Sequence, residues 1–187
     1  FYGFKVTGRE NVPTVGAVIV VANHASAIDP LALGAGCPRP LRFMAKAELF
    51  DNPVLALILR GLRAFPVRRG QVDREAYRTS MEALRAGDAL GIFPEGTRSR
   101  TGELQAAHPG AARFSMRTGA PIVPAAVVGT FAGHRKSVNR FREAKVRVVF
   151  GAPIHPGVPA EGRITREDSD RLAHQIMERI QDLIDAA

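Results

Sequence analysis

The sequence predicts an α/β fold, a single domain built on a mixed, largely parallel sheet flanked by helices, and three features carry that prediction. Apolar runs such as Gly16-Ala17-Val18-Ile19-Val20-Val21 and Ala89-Leu90-Gly91-Ile92-Phe93 show no polar alternation, which marks strands buried on both faces. Helical segments with recognisable start and stop residues separate these runs, so strand and helix alternate along the chain. Polar and charged residues stand directly after several runs, where open α/β sheets keep their chemistry.

In order, Phe4 to Thr7 reads as a short first strand, and Gly16 to Val21, rich in β-branched residues, belongs at the centre of the sheet. Asp29-Pro30 has the form of a capping carboxylate followed by a first-turn proline, opening a short helix to about Gly34. Leu41 to Ala45 is the next strand. Asn52-Pro53 repeats the cap-and-proline signature, and Val54 to Leu59 is helical and apolar around its whole circumference before Arg60-Gly61. Such a helix is either fully buried or lies in something apolar. Burial is the favoured expectation, with contact to a membrane or an acyl chain as the alternative.

Ala64 to Val67 has an internal proline and so belongs at an edge or a bulge. Asp73 caps a helix running to about Ala86 and stopped by Gly87. Ala89 to Phe93 then leads into Pro94-Glu95-Gly96-Thr97-Arg98-Ser99. Pro109 opens a helix closed by Gly119, and Pro121 to Val128 and Val146 to Phe150 complete the strands. Arg166 to Ile184 is an amphipathic helix whose Leu172, Ile176, Ile180 and Leu183 face the sheet.

A chain of 187 residues suits one domain, residues 1–187, and 45% hydrophobic content supports a substantial core. The net charge of +8 favours an anionic partner. The single cysteine, Cys37, excludes an internal disulfide framework and a cysteine-based zinc cluster, and reads as a buried, inert thiol. No apolar run approaches the roughly 20 residues that span a bilayer, and no signal peptide is visible. The chain opens on Phe1, not methionine, which leaves an upstream anchor open.

Arg135 to Arg147 carries six basic residues and one acidic, with Phe141 among them. Tryptophan is absent and no nucleic-acid-binding motif appears, so nucleic acid is not the expected partner. The segment suits anionic headgroups, the phosphates of coenzyme A, or a merely solvated strand edge. A metallohydrolase would need a ligand cluster such as His-Glu-x-x-His, and none exists; no metal is expected. Gly34-Ala35-Gly36 lacks the third glycine of a dinucleotide fingerprint, and no serine sits in a Gly-x-Ser-x-Gly elbow. His108, His134, His155 and His174 have no ligand spacing among them and are expected at the surface.

The stretch Ala22-Asn23-His24-Ala25-Ser26-Ala27-Ile28-Asp29-Pro30 places an imidazole and a carboxylate in one loop. A carboxylate can fix the tautomer of a histidine and stabilise its imidazolium, leaving the other nitrogen to take a proton. Taken alone, the pair reads equally as a loop histidine beside a helix cap. Two further strand-end loops, Arg68-Arg69 and Glu95 to Ser99, share its polar character. Gathered at one sheet edge, the three would suit a phosphate ester bearing a hydroxyl, next to an acyl donor.

With these residues in view, the chain resembles the glycerolipid acyltransferase family, whose members include lysophosphatidic acid acyltransferases. The block Asn-His-x-x-x-x-Asp is Asn23-His24 to Asp29, and Phe-Pro-Glu-Gly-Thr-Arg-Ser is complete at Phe93 to Ser99. Phe65-Pro66-Val67-Arg68-Arg69, Ile122-Val123-Pro124 and Lys46-Ala47-Glu48-Leu49-Phe50 resemble further family segments, in family order, over a core of about residues 16–130. The resemblance implies His24 as general base and Asp29 as the residue that orients it. It implies Arg68, Arg69, Glu95, Gly96, Thr97, Arg98 and Lys46 as the acceptor-binding region, with Pro124 in a block linked to the acyl donor or to site structure.

It also implies acyl-CoA or acyl-carrier protein as co-substrate, a lysophospholipid acceptor, no cofactor, and peripheral attachment to an anionic membrane surface at the cytoplasmic face. Arg68 departs from the acidic or polar residue common beside the second-block arginine, so the phosphate contact is open among Arg68, Arg69 or both. Two roles stand open for Glu95, turn stabilisation and ligand contact, and for Arg98, phosphate binding and a salt bridge to Glu95. Gly96 is expected to serve backbone conformation. Other lysolipid or glycolipid acceptors, and a non-catalytic anionic-lipid-binding relative, are the alternative readings.

Overall fold

A computed structural model describes residues 3–68, 73–131, 145–157 and 163–187. Seven strands form one sheet: β1 (Lys5–Thr7), β2 (Val18–Ala22), β3 (Leu41–Lys46), β4 (Phe65–Val67), β5 (Ala89–Ile92), β6 (Ile122–Val128) and β7 (Arg147–Phe150). Their spatial order is β1-β7-β6-β2-β5-β3-β4, and every neighbouring pair is parallel except β6 with β7. The central place of β2 accounts for its unbroken Val18-Ile19-Val20-Val21-Ala22 run, in which every residue is buried. Proline-bearing β4 is an edge strand, where a missing N–H leaves no ladder bond unmade.

The helices are α1 (Asp29–Gly36), α2 (Pro53–Gly61), α3 (Arg74–Arg85), α4 (Gly110–Thr118) and α5 (Arg166–Asp185). Alternate β2 residues serve two cores. Ile19 and Val21 pack with Met81 and Leu84 of α3, Ala112 and Phe114 of α4, and Leu172, Ile176 and Ile180 of α5. Val18, Val20 and Ala22 pack on the other face with Ala32 and Leu33 of α1 and with the buried Cys37. Period-two alternation in a strand covered on both sides yields this division directly.

The helix ends follow local chemistry. Asn52 Oδ1 accepts from the amides of Val54 and Leu55, and Asp73 Oδ1 accepts from those of Glu75 and Ala76. Gly87 and Gly119 end their helices at φ 83° and 72°, the left-handed conformation that glycine adopts without strain.

Two expectations need correction. Helix α2 is not buried: Val54, Leu57 and Ile58 are 68%, 74% and 53% exposed, and Ala56 alone of the helix is buried. An all-apolar sequence cannot specify which face meets the sheet, and here α2 lies against the protein by one narrow stripe. Asp29 is not the cap of α1 either. The cap position is Ile28, with no side-chain cap bond, and Asp29 is already helical. Its carboxylate turns back to the preceding loop. Most of the basic Arg135–Arg147 segment, with His134, lies outside the described residues.

Candidate active site

The parallel strands β2, β3, β4 and β5 share one direction, so the segments that follow them open at the same sheet edge. The loop after β2 carries His24, and the loop after β5 carries Phe93 to Ser99. Lys46 ends β3, and Arg68 follows β4.

His24 stands at the centre of the candidate site. Its Nδ1 lies 3.0 Å from Asp29 Oδ2, and Asp29 is fully buried. The same oxygen accepts the backbone N–H groups of Ala25 at 2.7 Å and Ser26 at 2.6 Å. An ionised carboxylate oxygen can only accept, so in this pair Nδ1 is the donor, and Nε2 is the ring nitrogen left to accept a proton. Nε2 has no hydrogen-bond partner among the described residues, and the His24 side chain keeps a 10% opening to solvent. One carboxylate thus closes the loop and sets the tautomer.

Phe93 and Glu95 brace that histidine. The Phe93 ring stacks on the imidazole at 4.3 Å between centroids, and Phe43 stacks beyond Phe93 at 6.1 Å. The Phe43 ring also lies across Gly91, where an added Cβ would collide with it. Glu95 Oε1 accepts the backbone N–H of His24 at 2.6 Å, and the Ser99 N–H donates to the His24 carbonyl at 2.7 Å. Glu95 Oε2 accepts both the backbone and side-chain N–H groups of Gln105, at 3.1 and 3.2 Å. Burial pushes the Glu95 carboxyl above its ordinary range, while the His24 and Gln105 donors pull it back.

Both oxygens of Glu95 therefore serve the loop, and the turn-stabilising alternative describes its geometry. A Glu95–Arg98 salt bridge is not formed. Gln105 has no motif around it and gave no sequence signal. Asn23 is similarly tied down: its amide donates to the Val127 carbonyl and accepts the Val127 N–H, prolonging the β2–β6 pairing through a side chain.

The structure brings His24, Asp29 and Glu95 into direct contact, and among the described residues no cationic side chain forms a hydrogen bond or ion pair with them. Arg98 and Thr97 are exposed, and Arg98 makes no ion pair among the described residues. Lys46 pairs with Glu48 at 3.1 Å, and the Arg68 backbone N–H donates to Asp73 Oδ2 at 2.7 Å. Arg69 lies outside the described residues. Gly96 sits at φ 69° with the His108 ring against it, and its amide donates to the Phe93 carbonyl, so it is not a free oxyanion donor. Pro124 is a buried β6 residue opposite Val21, three residues before His24. His155 and His174 are exposed. Among the described residues no three His, Cys, Asp or Glu side chains are grouped to hold a metal ion, and no helix is long and apolar enough to cross a membrane.

Comparison with known proteins follows the same lines. The acyltransferase family model matches residues 3–128. The chain is 34% identical over 154 residues to 1-acyl-sn-glycerol-3-phosphate acyltransferase of Bacillus subtilis, covering 82% of this chain and 74% of that one. It is 31% identical over 196 residues to the probable enzyme of that name from Mycoplasma genitalium, covering 96% of this chain and 70% of the relative. Of the Borreliella burgdorferi protein of the same name it spans 51%. The crystal structure of the 1-acyl-sn-glycerophosphate acyltransferase PlsC from Thermotoga maritima superimposes with a TM-score of 0.73 at 28% identity, over 97% of this chain and 72% of that one.

Proposed function

The chain belongs to the acyltransferase family, and on that premise we propose that residues 1–187 form one O-acyltransferase domain whose acceptor is 1-acyl-sn-glycerol 3-phosphate. The product is phosphatidic acid. The observation that carries the reading is the His24 Nδ1–Asp29 contact at 3.0 Å, which leaves Nε2 as a base at the sheet edge.

The acceptor hydroxyl loses its proton to His24 Nε2 as its oxygen attacks the carbonyl carbon of an acyl thioester. The tetrahedral adduct collapses, the carbon–sulfur bond breaks, and the departing thiolate takes the proton back from the imidazolium. Asp29, buried beside Nδ1, stabilises the cation between the two transfers. Base assistance of this kind is worth about 10²–10⁴-fold. A thioester is reactive enough for direct transfer, so the site needs no covalent enzyme intermediate. The donor is acyl-CoA or an acyl-carrier protein, and the route needs no cofactor or metal. Arg68, Arg69, Arg98 and Lys46 supply the cationic groups for the acceptor phosphate. Thr97 belongs with that region, Gly96 shapes its turn, and Pro124 belongs to the strand beneath. The enzyme works peripherally at an anionic membrane surface on its cytoplasmic face.

The test is a panel of lysolipid and glycolipid acceptors offered with acyl-CoA and with acyl-carrier protein, products read by mass spectrometry. Phosphatidic acid is the expected main product. His24→Ala is expected to lose about 10²–10⁴-fold in turnover while its circular dichroism stays that of the parent; retained turnover would remove His24 as the base.

A further inference from the structure

Helix α2 carries three large aliphatic side chains that the described residues leave exposed, Val54, Leu57 and Ile58. Val54, Leu57 and Ile58 follow the i, i+3, i+4 spacing that puts side chains on one face, and all three are more than half exposed. The opposite side holds Ala56, the only buried residue of the helix. The helix contains no acidic residue, and its last turn carries the exposed Arg60. Just beyond it Arg63 is held at φ 55°, a left-handed conformation that glycine would adopt without strain.

We propose that α2 enters the outer part of an anionic lipid bilayer, with Val54, Leu57 and Ile58 among the acyl chains and Arg60 and Arg63 at the lipid phosphates. Charge decides the occupant. A short aliphatic face with two exposed guanidiniums at its C-terminal end, against the one exposed carboxylate of Asp51 before its N-terminus, on a chain of net charge +8, matches a negatively charged lipid surface. A protein-binding helix would more often present an aromatic anchor, and this face has none. The helix begins beyond the end of β3, at the sheet edge that carries His24, and runs back toward the start of the parallel strand β4, where Arg60 and Arg63 line one cavity with Arg42 and Asp88. This deepens the membrane-surface part of the function proposed above, and its readouts do not depend on catalysis.

The chain has no tryptophan, so L57W supplies a single reporter. With phosphatidylcholine vesicles containing about a quarter phosphatidylglycerol, the indole emission is expected to shift to the blue and to be quenched by brominated acyl chains. The doubly substituted Leu57→Glu, Ile58→Glu protein is expected to lose at least about tenfold in vesicle-bound fraction. It should keep its circular dichroism and its turnover of a short-chain, monomerically dispersed acceptor, since both side chains are exposed. Emission already blue-shifted without vesicles and unchanged by them would mean that another segment or a second copy covers the face. That result, a dimer that the double substitution splits, or undiminished vesicle binding would each overturn the proposal. A parent protein that binds vesicles through α2 yet acylates no acceptor would refute the proposed activity and leave this inference standing.

Discussion

Replacing Asp29 by asparagine separates the shape of the His24 loop from its charge. In the parent, one oxygen of a fully buried carboxylate accepts from the Ala25 and Ser26 amides and from His24 Nδ1. Asparagine keeps an oxygen there, but each bond falls from a charge-assisted worth of about 1.5–3 kcal/mol toward about 0.5–1.5 kcal/mol. Over the three bonds the loss is about 3 kcal/mol. The new NH₂ takes the place of Oδ1, which is buried and has no partner among the described residues, and a buried unpaired donor costs about 1–3 kcal/mol more. Relief from burying a charge offsets part of this, leaving a net destabilisation of about 2–4 kcal/mol. For a chain of this size that is a fall in Tm of roughly 5–15 °C. The imidazolium formed during the reaction also loses its counter-charge, so kcat should fall about 10²–10⁴-fold. Urea unfolding followed by circular dichroism measures the first quantity, and thiol release from an acyl thioester measures the second. Asp29→Asn with stability within about 0.5 kcal/mol of the parent and undiminished kcat would refute the assignment of both roles to one carboxylate.

Glu95→Gln keeps one oxygen for the His24 N–H but turns a donor toward another donor, while removing the burial penalty on the charge. Its stability is expected to fall by about 1–3 kcal/mol, with kcat lowered about tenfold through a misplaced imidazole; chemical denaturation and steady-state rates separate the two. Arg98→Ala is expected to raise KM for a phosphate-bearing acceptor with kcat and Tm nearly unchanged, because Arg98 is exposed and unpaired among the described residues. The acid limb of stability should involve Asp73 and Asp168, both held below their ordinary value of 3.8, the first chiefly by the Ala76 amide and the second chiefly by the Thr165 hydroxyl. Carboxyls so depressed stabilise the fold fully above the unfolded value and lose that contribution as pH falls through the folded one. A thermal melt series across about pH 2–5 should show a shallower decline for the Asp73→Asn, Asp168→Asn protein than for the parent.

Sequence alone determined the features that local chemistry controls. Unalternating apolar runs marked β2, β5 and β6, because a strand covered on both faces has no polar side to show. Asn52 and Asp73 marked the starts of α2 and α3, and Gly87 and Gly119 marked helix ends, because capping atoms reach only two or three residues along the chain. The His24 and Asp29 pairing was legible for the same reason, being five residues apart.

Tertiary structure decided what depends on distant partners. Glu95 braces His24 across 71 residues, and Asn23 continues the sheet by bonding to Val127 across 104. No local pattern announces an acceptor whose donors lie that far away. Gln105 was invisible for the same reason. The exposure of α2 could not be read either, since a helix apolar on every side carries no record of which side the protein covers. Asp29 followed proline-adjacent capping grammar in sequence, yet the folded loop offered its carboxylate two amides and an imidazole, and those stronger local donors took it.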